Sequence, residues 1–169
     1  MARLFEWDQV LSSKLRIAIN RKGIHWIAAV LAHSADSWFW IAGLILIYWV
    51  GNPVWKSIAL RYLIGILVTA CLVLGIKFTI RRKRPEGDWG GIYRMTDPHS
   101  FPSGHAARCI LIMVLSFGFT PTWLAMIISI WAILVSVARV GLGVHYLSDV
   151  IAGMILGGCI GTAYLSFIS

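Results

Sequence analysis

The stretch Thr122–Ala138, TWLAMIISIWAILVSVA, contains no charged residue. Pro121 precedes it and Arg139 follows it, so a helix breaker and a charge bound the apolar run. A membrane-spanning helix takes about 20 predominantly apolar residues, whereas a strand of a membrane β-barrel alternates over about ten. The stretch therefore predicts a transmembrane helix in an all-α protein, and the rest of the chain supplies its neighbours.

The whole chain shares this apolar character. It has 169 residues, of which 59% are hydrophobic and 13% are charged, whereas a soluble domain is about half apolar and about a quarter charged. A soluble domain this small could not bury so much apolar surface, because a small domain has a large surface relative to its volume. The same numbers exclude intrinsic disorder, collagen and a disulfide scaffold. We predict one integral-membrane domain over residues 1–169.

Further apolar stretches predict the other helices of a polytopic bundle. The predicted helices cover residues 38–50, 57–76, 104–118, 122–138 and 146–168. Ahead of the first lies a turn of Ser34, Asp36 and Ser37, any of which could cap the helix. In the last helix Gly153, Gly157 and Gly161 recur every four residues, which indicates close packing on a neighbouring helix.

Residues 1–22 mix apolar and basic side chains, including Leu4, Trp7, Lys14 and Arg16. The pattern suits an amphipathic helix that lies at the membrane surface, and it equally suits an amphipathic helix packed on the protein. The apolar segment 24–33 that follows is too short to span a membrane unless it recruits the charged segment before it.

The charge balance points to acidic lipids or phosphorylated substrates. The chain has 15 Lys and Arg against 7 Asp and Glu, a net charge of +8. In a soluble protein this excess would suggest nucleic acid. Here the basic residues are concentrated in the first 22 residues and between Lys77 and Arg94, so the lipid bilayer and a lipid phosphate are the expected partners, and nucleic acid is not.

Tracing the predicted helices back and forth across the membrane brings four helix ends to one face. One helix ends at Lys77, the next begins at Ser103, the following one ends at Arg139, and the last begins at His145. Ionisable residues inside a membrane bundle are costly, so a functional role is the default expectation. The residues expected to meet are Lys77, Arg84, Ser103, His105, Arg139, His145 and Asp149.

The cations and the helix start at this face suit an anion. Lys77 and Arg84 are seven residues apart and share a helix face if the helix continues to Pro85, where they could clamp phosphate oxygens. The intervening Arg81, Arg82 and Lys83 are instead interpreted as membrane-anchoring residues. Backbone amides at Ser103-Gly104-His105 favour an anion at the start of the next helix.

His145 and Asp149 are spaced to interact within one helical turn. A carboxylate that holds one imidazole nitrogen leaves the other as nucleophile or base; a surface pair or a helix-capping arrangement is the alternative. With His105 and the cations, the pair predicts phosphoryl transfer without a metal or cofactor. A metal site is the competing interpretation, with possible ligands Asp88, Asp97, His99, His105, His145 and Asp149, but the cations would repel the metal.

Three motifs in this order resemble the type 2 phosphatidic acid phosphatase superfamily. The pattern K-x6-RP reads here as Lys77 to Pro85, PSGH as Pro102 to His105, and SR-x5-H-x3-D as Ala138 to Asp149. Ala138 replaces the serine of the third motif, so a hydroxyl that would help to bind phosphate is absent. The resemblance covers residues 57–169.

The resemblance implies a metal-independent membrane lipid phosphatase with six transmembrane helices and no obligate protein partner. It implies that His145 forms a phosphohistidine, that Asp149 orients it, and that His105 protonates the leaving group. The implied phosphate-binding residues are Lys77, Arg84, Ser103, Gly104 and Arg139. A lipid phosphotransferase and a non-catalytic lipid-binding protein are the alternatives.

The resemblance also suggests substrates and an orientation. The expected substrates are undecaprenyl diphosphate, phosphatidylglycerophosphate and phosphatidate. The loop 86–101 either shapes headgroup choice or is an aromatic loop at the membrane interface, and its candidate residues are Trp89, Tyr93, Arg94 and His99. Six spans in the cell membrane would put both termini opposite the site. The N-terminal basic residues then favour a cytoplasmic N-terminus and a site that faces the periplasm or exterior.

Overall fold

The protein is described by a computed structural model that covers residues 2–19, 22–85 and 97–168. Within these ranges the chain forms helices joined by short turns, and an isolated β-bridge pairs Lys83 with His99. The prediction of an all-α fold is confirmed. The helices are α1 (Ala2–Ile19), α2 (Lys22–Ser34), α3 (Ser37–Val50), α4 (Pro53–Ile80), α5 (Gly104–Phe119), α6 (Thr122–Gly141) and α7 (Leu147–Ile168).

The helix α4 is longer at both ends than the sequence predicted. It begins at Pro53, which fits the first turn of a helix, and the Asn52 side chain accepts a hydrogen bond from the Trp55 amide at 3.1 Å. It ends at Ile80, and the cap residue Arg81 adopts a left-handed conformation with φ of 52° and donates its amide to the Lys77 carbonyl. Lys77 therefore lies inside the last turn of α4, and its side chain points into the bundle.

The helix α5 lies at the centre of the bundle and contacts α4, α6 and α7. A Cβ atom built on Gly153 or Gly157 of α7 would overlap the carbonyl oxygens of Ser103 and Ala107. Only glycine allows this approach, as the sequence predicted. The close packing brings the first turn of α7, which carries Asp149, against the start of α5.

Apolar side chains fill the interior and also cover the outside. Leu111, Ile112 and Leu115 of α5 have no exposed surface, and they pack against α4. Outward-facing side chains such as Leu67 and Ile155 are 65% and 62% exposed. A soluble protein does not display so many large apolar side chains, so the outer surface of the bundle suits lipid.

Among the described residues three helices, α4, α6 and α7, are long and apolar enough to cross a membrane. The pair α2 and α3 makes a fourth candidate when it is counted as one span with a bend of 48°. The helix α5 is apolar but shorter, with 16 residues. The six spans implied by the resemblance are not confirmed.

The helix α1 lies at the end of the bundle where α7 begins. Asp8 accepts a hydrogen bond from the Ser148 amide at 3.0 Å, and Ser12 accepts one from the Leu147 amide at 2.9 Å. These side chains satisfy amides of the first turn of α7 that lack helical partners. The N-terminal helix is thus packed on the protein, while Trp7 remains 65% exposed.

Candidate active site

His145 lies in the turn between α6 and α7 and is almost completely buried. Its Nδ1 atom is 2.8 Å from the carbonyl oxygen of Ser100. Because a carbonyl only accepts hydrogen bonds, Nδ1 carries the proton and Nε2 keeps its lone pair. Nε2 faces the Nη1 atom of Arg84 at 3.4 Å. One imidazole nitrogen is therefore held by a backbone carbonyl, and the lone pair of the other is directed at the Arg84 guanidinium.

The predicted hydrogen bond between Asp149 and His145 is not formed, because Asp149 Oδ2 lies 3.7 Å from His145 Nδ1. Asp149 Oδ2 instead accepts the Tyr146 amide at 2.9 Å. Asp149 thus caps its own helix by reaching back to the residue that precedes the first turn. The backbone carbonyl of Ser100 orients the imidazole, and Asp149 fixes the turn that carries it.

Arg82 takes part in this arrangement, and its interpretation as a membrane-anchoring residue is wrong. Its Nη1 atom donates to Asp149 Oδ1 at 2.6 Å and to Ser148 Oγ at 2.7 Å, and its Nη2 atom donates to Asp8 Oδ2 at 2.7 Å. The guanidinium also lies 4.3 Å from the centre of the Tyr146 ring. Arg82 therefore links α1 to the start of α7.

Lys77 and Arg84 converge as predicted, although α4 ends before Arg84 and the two do not share a helix face. The Nζ atom of Lys77 lies 2.7 and 2.6 Å from the two carboxylate oxygens of Asp97. The Nη2 atom of Arg84 lies 2.7 Å from Oδ2 of the same carboxylate. The two cations thus form a cradle around one anion, which here is the carboxylate of Asp97.

The charges of the site control its protonation. Burial, then the cations Arg139, Arg84 and Lys77, lower the pKa of His145 well below its usual range, so its imidazole is neutral at neutral pH. Burial alone would raise the pKa of Asp97, but Lys77 and Arg84 outweigh burial and lower it. A neutral imidazole is the nucleophilic form, and an ionised Asp97 is the form that the cradle binds.

The start of α5 lies at the site, as the sequence predicted. Ser103 is the N-terminal cap of α5, is fully buried, and accepts the Ala106 amide at 3.5 Å. Its own amide donates to the Asp149 carbonyl at 2.9 Å. Gly104 begins the helix. This contact joins the second predicted motif to the third.

His105, on the first turn of α5, has a partner that the sequence analysis did not identify. Its Nε2 atom lies 2.8 Å from Asp36 Oδ1, and the other oxygen of Asp36 lies 3.0 Å from His33 Nδ1. Asp36 was expected to be able to cap α3, and it does occupy the cap position. Its side chain, however, makes no capping bond. The local sequence does not distinguish an aspartate that caps a helix from one that contacts a distant histidine.

The sequence of residues 58–169 matches the family model of the PAP2 superfamily. The chain belongs to the PAP2 superfamily. It is 32% identical over 138 residues to an undecaprenyl-diphosphatase of Sulfolobus acidocaldarius, covering 78% of this chain and 61% of the relative. It is 44% identical over 59 residues to a lipid A 4'-phosphatase of Bacteroides thetaiotaomicron, covering 34% of this chain and 26% of the relative. The chain thus spans less than two thirds of these relatives.

Two solved structures share the fold of this PAP2 protein. A transmembrane PAP2-type phosphatidylglycerolphosphate phosphatase from Bacillus subtilis superposes with a TM-score of 0.83 at 23% identity, covering 99% of this chain and 87% of the other. LpxE of Aquifex aeolicus superposes with a TM-score of 0.77 at 21% identity, covering 94% of each chain. These similarities support the fold.

Ala138, which departs from the PAP2 motif, packs against α2. It is buried and contacts the apolar cluster formed by Ala28 and Ala32. The next residue, Arg139, is buried as well, and its charge acts on His145. The small side chain at position 138 thus contributes to helix packing next to a residue of the site.

The remaining predicted loop residues fall into two groups. Trp89, Tyr93 and Arg94 lie outside the described residues, as does Asp88. His99 is described: its ring meets the Phe78 ring edge-on with centroids 5.7 Å apart, and its carbonyl accepts a hydrogen bond from Lys77 at 3.0 Å. Within the described part of the chain, no group of three His, Cys, Asp or Glu is placed to hold a metal ion.

Proposed function

We propose that this PAP2 protein is an integral-membrane, metal-independent lipid phosphatase that hydrolyses a phosphate or diphosphate monoester of a membrane lipid. One observation carries the proposal: the lone pair of His145 Nε2 faces a cradle of buried cations that holds an anion. A neutral nucleophile beside an anion-binding cradle suits attack on a phosphate group. The proposal extends over residues 1–169 as one domain.

In the first step the Nε2 lone pair of His145 attacks phosphorus. The bond from nitrogen to phosphorus forms while the bond from phosphorus to the lipid oxygen breaks. His105 donates a proton to the departing oxygen, so the lipid leaves as an alcohol or as a lipid monophosphate. Lys77, Arg84 and Arg139 stabilise the charge on the equatorial oxygens, and Ser103 and the Gly104 amide contribute hydrogen bonds.

In the second step water releases the phosphate from His145. His105, now neutral, accepts a proton from the attacking water, and the bond from nitrogen to phosphorus breaks. His145 regains its neutral form and His105 its proton. Asp97 must leave the cradle for the substrate to enter and can return when phosphate departs, because one cradle cannot hold both anions.

The proposed substrates are undecaprenyl diphosphate, phosphatidylglycerophosphate and phosphatidate. The relatives named above are an undecaprenyl-diphosphatase and a lipid A 4'-phosphatase, and the fold is shared with a phosphatidylglycerolphosphate phosphatase. All three names describe a phosphate on a membrane lipid. We propose that the headgroup contacts His99 and the loop residues Trp89, Tyr93 and Arg94.

We propose five membrane crossings: α2 with α3, then α4, α5, α6 and α7. The N-terminus and the site then share one side of the cell membrane, and the C-terminus lies on the other. This differs from the sequence prediction, because α1 contacts the start of α7. A site that faces the periplasm or exterior remains our proposal. The Lys and Arg count no longer supports it, since α1 and the basic residues from Lys77 to Arg84 lie at the site end.

The test is phosphate release by the purified protein in detergent with EDTA present. The panel contains the three proposed lipids and a soluble phosphate ester, each measured beside the His145→Asn variant. We expect release from at least one lipid, lost in the variant and unaffected by EDTA. Release that EDTA abolishes, transfer to a second lipid, or lipid binding without turnover would each contradict the proposal.

A further inference from the structure

The turn between α2 and α3 is attached to α5 by three consecutive residues. Asp36 contacts His105, and the residues on either side of it contact Arg108. Arg108 Nε donates to the Ala35 carbonyl at 3.2 Å, and Nη1 donates to Ser37 Oγ at 2.6 Å. Arg108 is 8% exposed, and a buried arginine needs fixed partners. The position of the Asp36 carboxylate against His105 is therefore determined from both sides.

The bonding of Asp36 runs against its local preference. An aspartate at the cap position of a helix ordinarily accepts a hydrogen bond from an amide of the first turn. Asp36 occupies that position before α3 but makes no such bond. Its two oxygens contact His105 at 2.8 Å and His33 at 3.0 Å. The carboxylate thus serves the histidines in place of its own helix.

The charges around His105 show why a carboxylate matters there. Burial disfavours a positive charge on the imidazole most strongly, and Arg139 of α6 and Arg108, one turn further along α5, disfavour it as well. Asp36 contacts the imidazole and favours that charge. The second carboxylate oxygen of Asp36 contacts His33 of α2. A histidine that acts as an acid must carry the proton before it can give it away.

We propose that Asp36 is the positioning residue that favours the protonated form of His105 and directs its other nitrogen at the leaving oxygen. This inference rests on the proposed function. Asp36 accepts a hydrogen bond from the Nε2–H group, so Nδ1 is the nitrogen that donates to the lipid oxygen in the first step. After that transfer the ring retains its Nε2 proton, and the Nδ1 lone pair accepts the proton of the attacking water.

The leaving group separates this role from a purely structural one. An alkyl phosphate releases a strongly basic oxygen and needs the acid, whereas an aryl phosphate such as 4-nitrophenyl phosphate releases a weak base and needs little help. The ratio kcat/KM reports only the first step when that step is irreversible. A loss of Asp36 therefore affects the alkyl substrate far more than the aryl one.

The experiment compares wild type with Asp36→Asn and Asp36→Glu. For octyl phosphate we expect Asp36→Asn to lower kcat/KM by about 10- to 100-fold, with a loss of less than about threefold for 4-nitrophenyl phosphate. The alkaline limb of the pH profile moves to lower pH by about one unit or more, because the imidazolium loses its carboxylate. Asp36→Glu keeps the charge and restores part of the activity.

The matched control is Ser37→Ala, which removes a contact of Arg108 on the same turn and leaves the carboxylate in place. It lowers activity equally for both substrates, if at all, and leaves the pH profile unmoved. Equal loss for both leaving groups in Asp36→Asn, or a pH profile that Ser37→Ala shifts in the same way, would overturn the inference.

A second measurement does not depend on turnover. The protein is labelled isotopically in its histidine residues, and its pH titration in detergent is followed by NMR. The His105→Asn variant assigns the His105 signals. We expect His105 to lose its proton at lower pH in Asp36→Asn than in wild type. An unchanged titration overturns the inference even if the enzyme is active. If wild type releases no phosphate, the proposed function fails while the titration still tests the pair.

Discussion

The Nζ atom of Lys77 lies within 2.7 Å of both carboxylate oxygens of Asp97. Arg84 contacts the same carboxylate. The cations that the sequence assigns to a phosphate group are thus paired with an acidic side chain of the protein. A substrate has to displace that side chain, and this relationship determines how tightly the site binds anions.

Replacement of Asp97 by Asn is expected to tighten substrate binding. The variant retains the shape of the side chain but leaves both cations available, so KM falls by about three- to tenfold, equivalent to roughly 1 kcal/mol for a partly exposed ion pair. Inorganic phosphate should also raise the Tm of the variant more than that of wild type. A higher KM in the variant would show that Asp97 aligns the substrate.

The pH profile provides a test of His145. Because burial and the surrounding cations lower its pKa well below 6.5, the neutral nucleophile persists as the pH falls, and the acidic limb of kcat/KM lies below pH 6.5 in the wild-type enzyme. In Arg84→Gln one cation is lost, the protonated imidazole becomes less unfavourable, and the limb moves to higher pH. An acidic limb above pH 6.5 in wild type would contradict the assignment.

Arg82→Gln is expected to destabilise the protein and lower kcat. It leaves the fully buried Asp149 without its charged partner, and breaking a buried pair costs about 3 to 5 kcal/mol of unfolding free energy. Thermal denaturation in detergent measures the loss. The neighbouring Lys83→Gln is the matched control, because the Lys83 side chain is exposed. Equal Tm values for the two variants would contradict the role given to Arg82.

The arrangement of the termini is a separate prediction. With five crossings, a C-terminal reporter indicates a cytoplasmic location, and an epitope before α1 is accessible from the outside of intact cells. Asp8 of α1 contacts Ser148 at the start of α7. This contact requires α1 to lie on the same side of the membrane as the site. Termini on the same side of the membrane would restore the six spans implied by the resemblance.

Much of the site could be predicted because it depends on helix direction. Helices that cross in alternation bring the end of α4, the start of α5, the end of α6 and the start of α7 to one face. Lys77, Ser103, Arg139 and His145 are positioned by that alternation alone. Arg84 also converges, although it reaches the cradle from an extended segment beyond the end of α4.

The partners of these residues could not be predicted in the same way. Asp36 reads as a helix cap and contacts His105 across 69 residues of sequence, a separation that no local period reveals. Ser100 acts through its backbone carbonyl, which every residue carries. Arg108 did leave a signal, since an arginine inside an apolar helix requires buried partners. The expected location of α1 depended on counting six spans, and the described helices do not confirm that number.

The most direct test of the proposed mechanism is to trap the phosphorylated enzyme. Lipid substrate labelled with ³²P in its terminal phosphate is mixed with the purified protein, and the reaction is stopped in alkali, in which phosphohistidine survives. We expect label on the wild-type protein that acid removes, mapping to the peptide with His145, and no label on His145→Asn. Label that persists in His145→Asn, or that maps to another residue, would contradict the account.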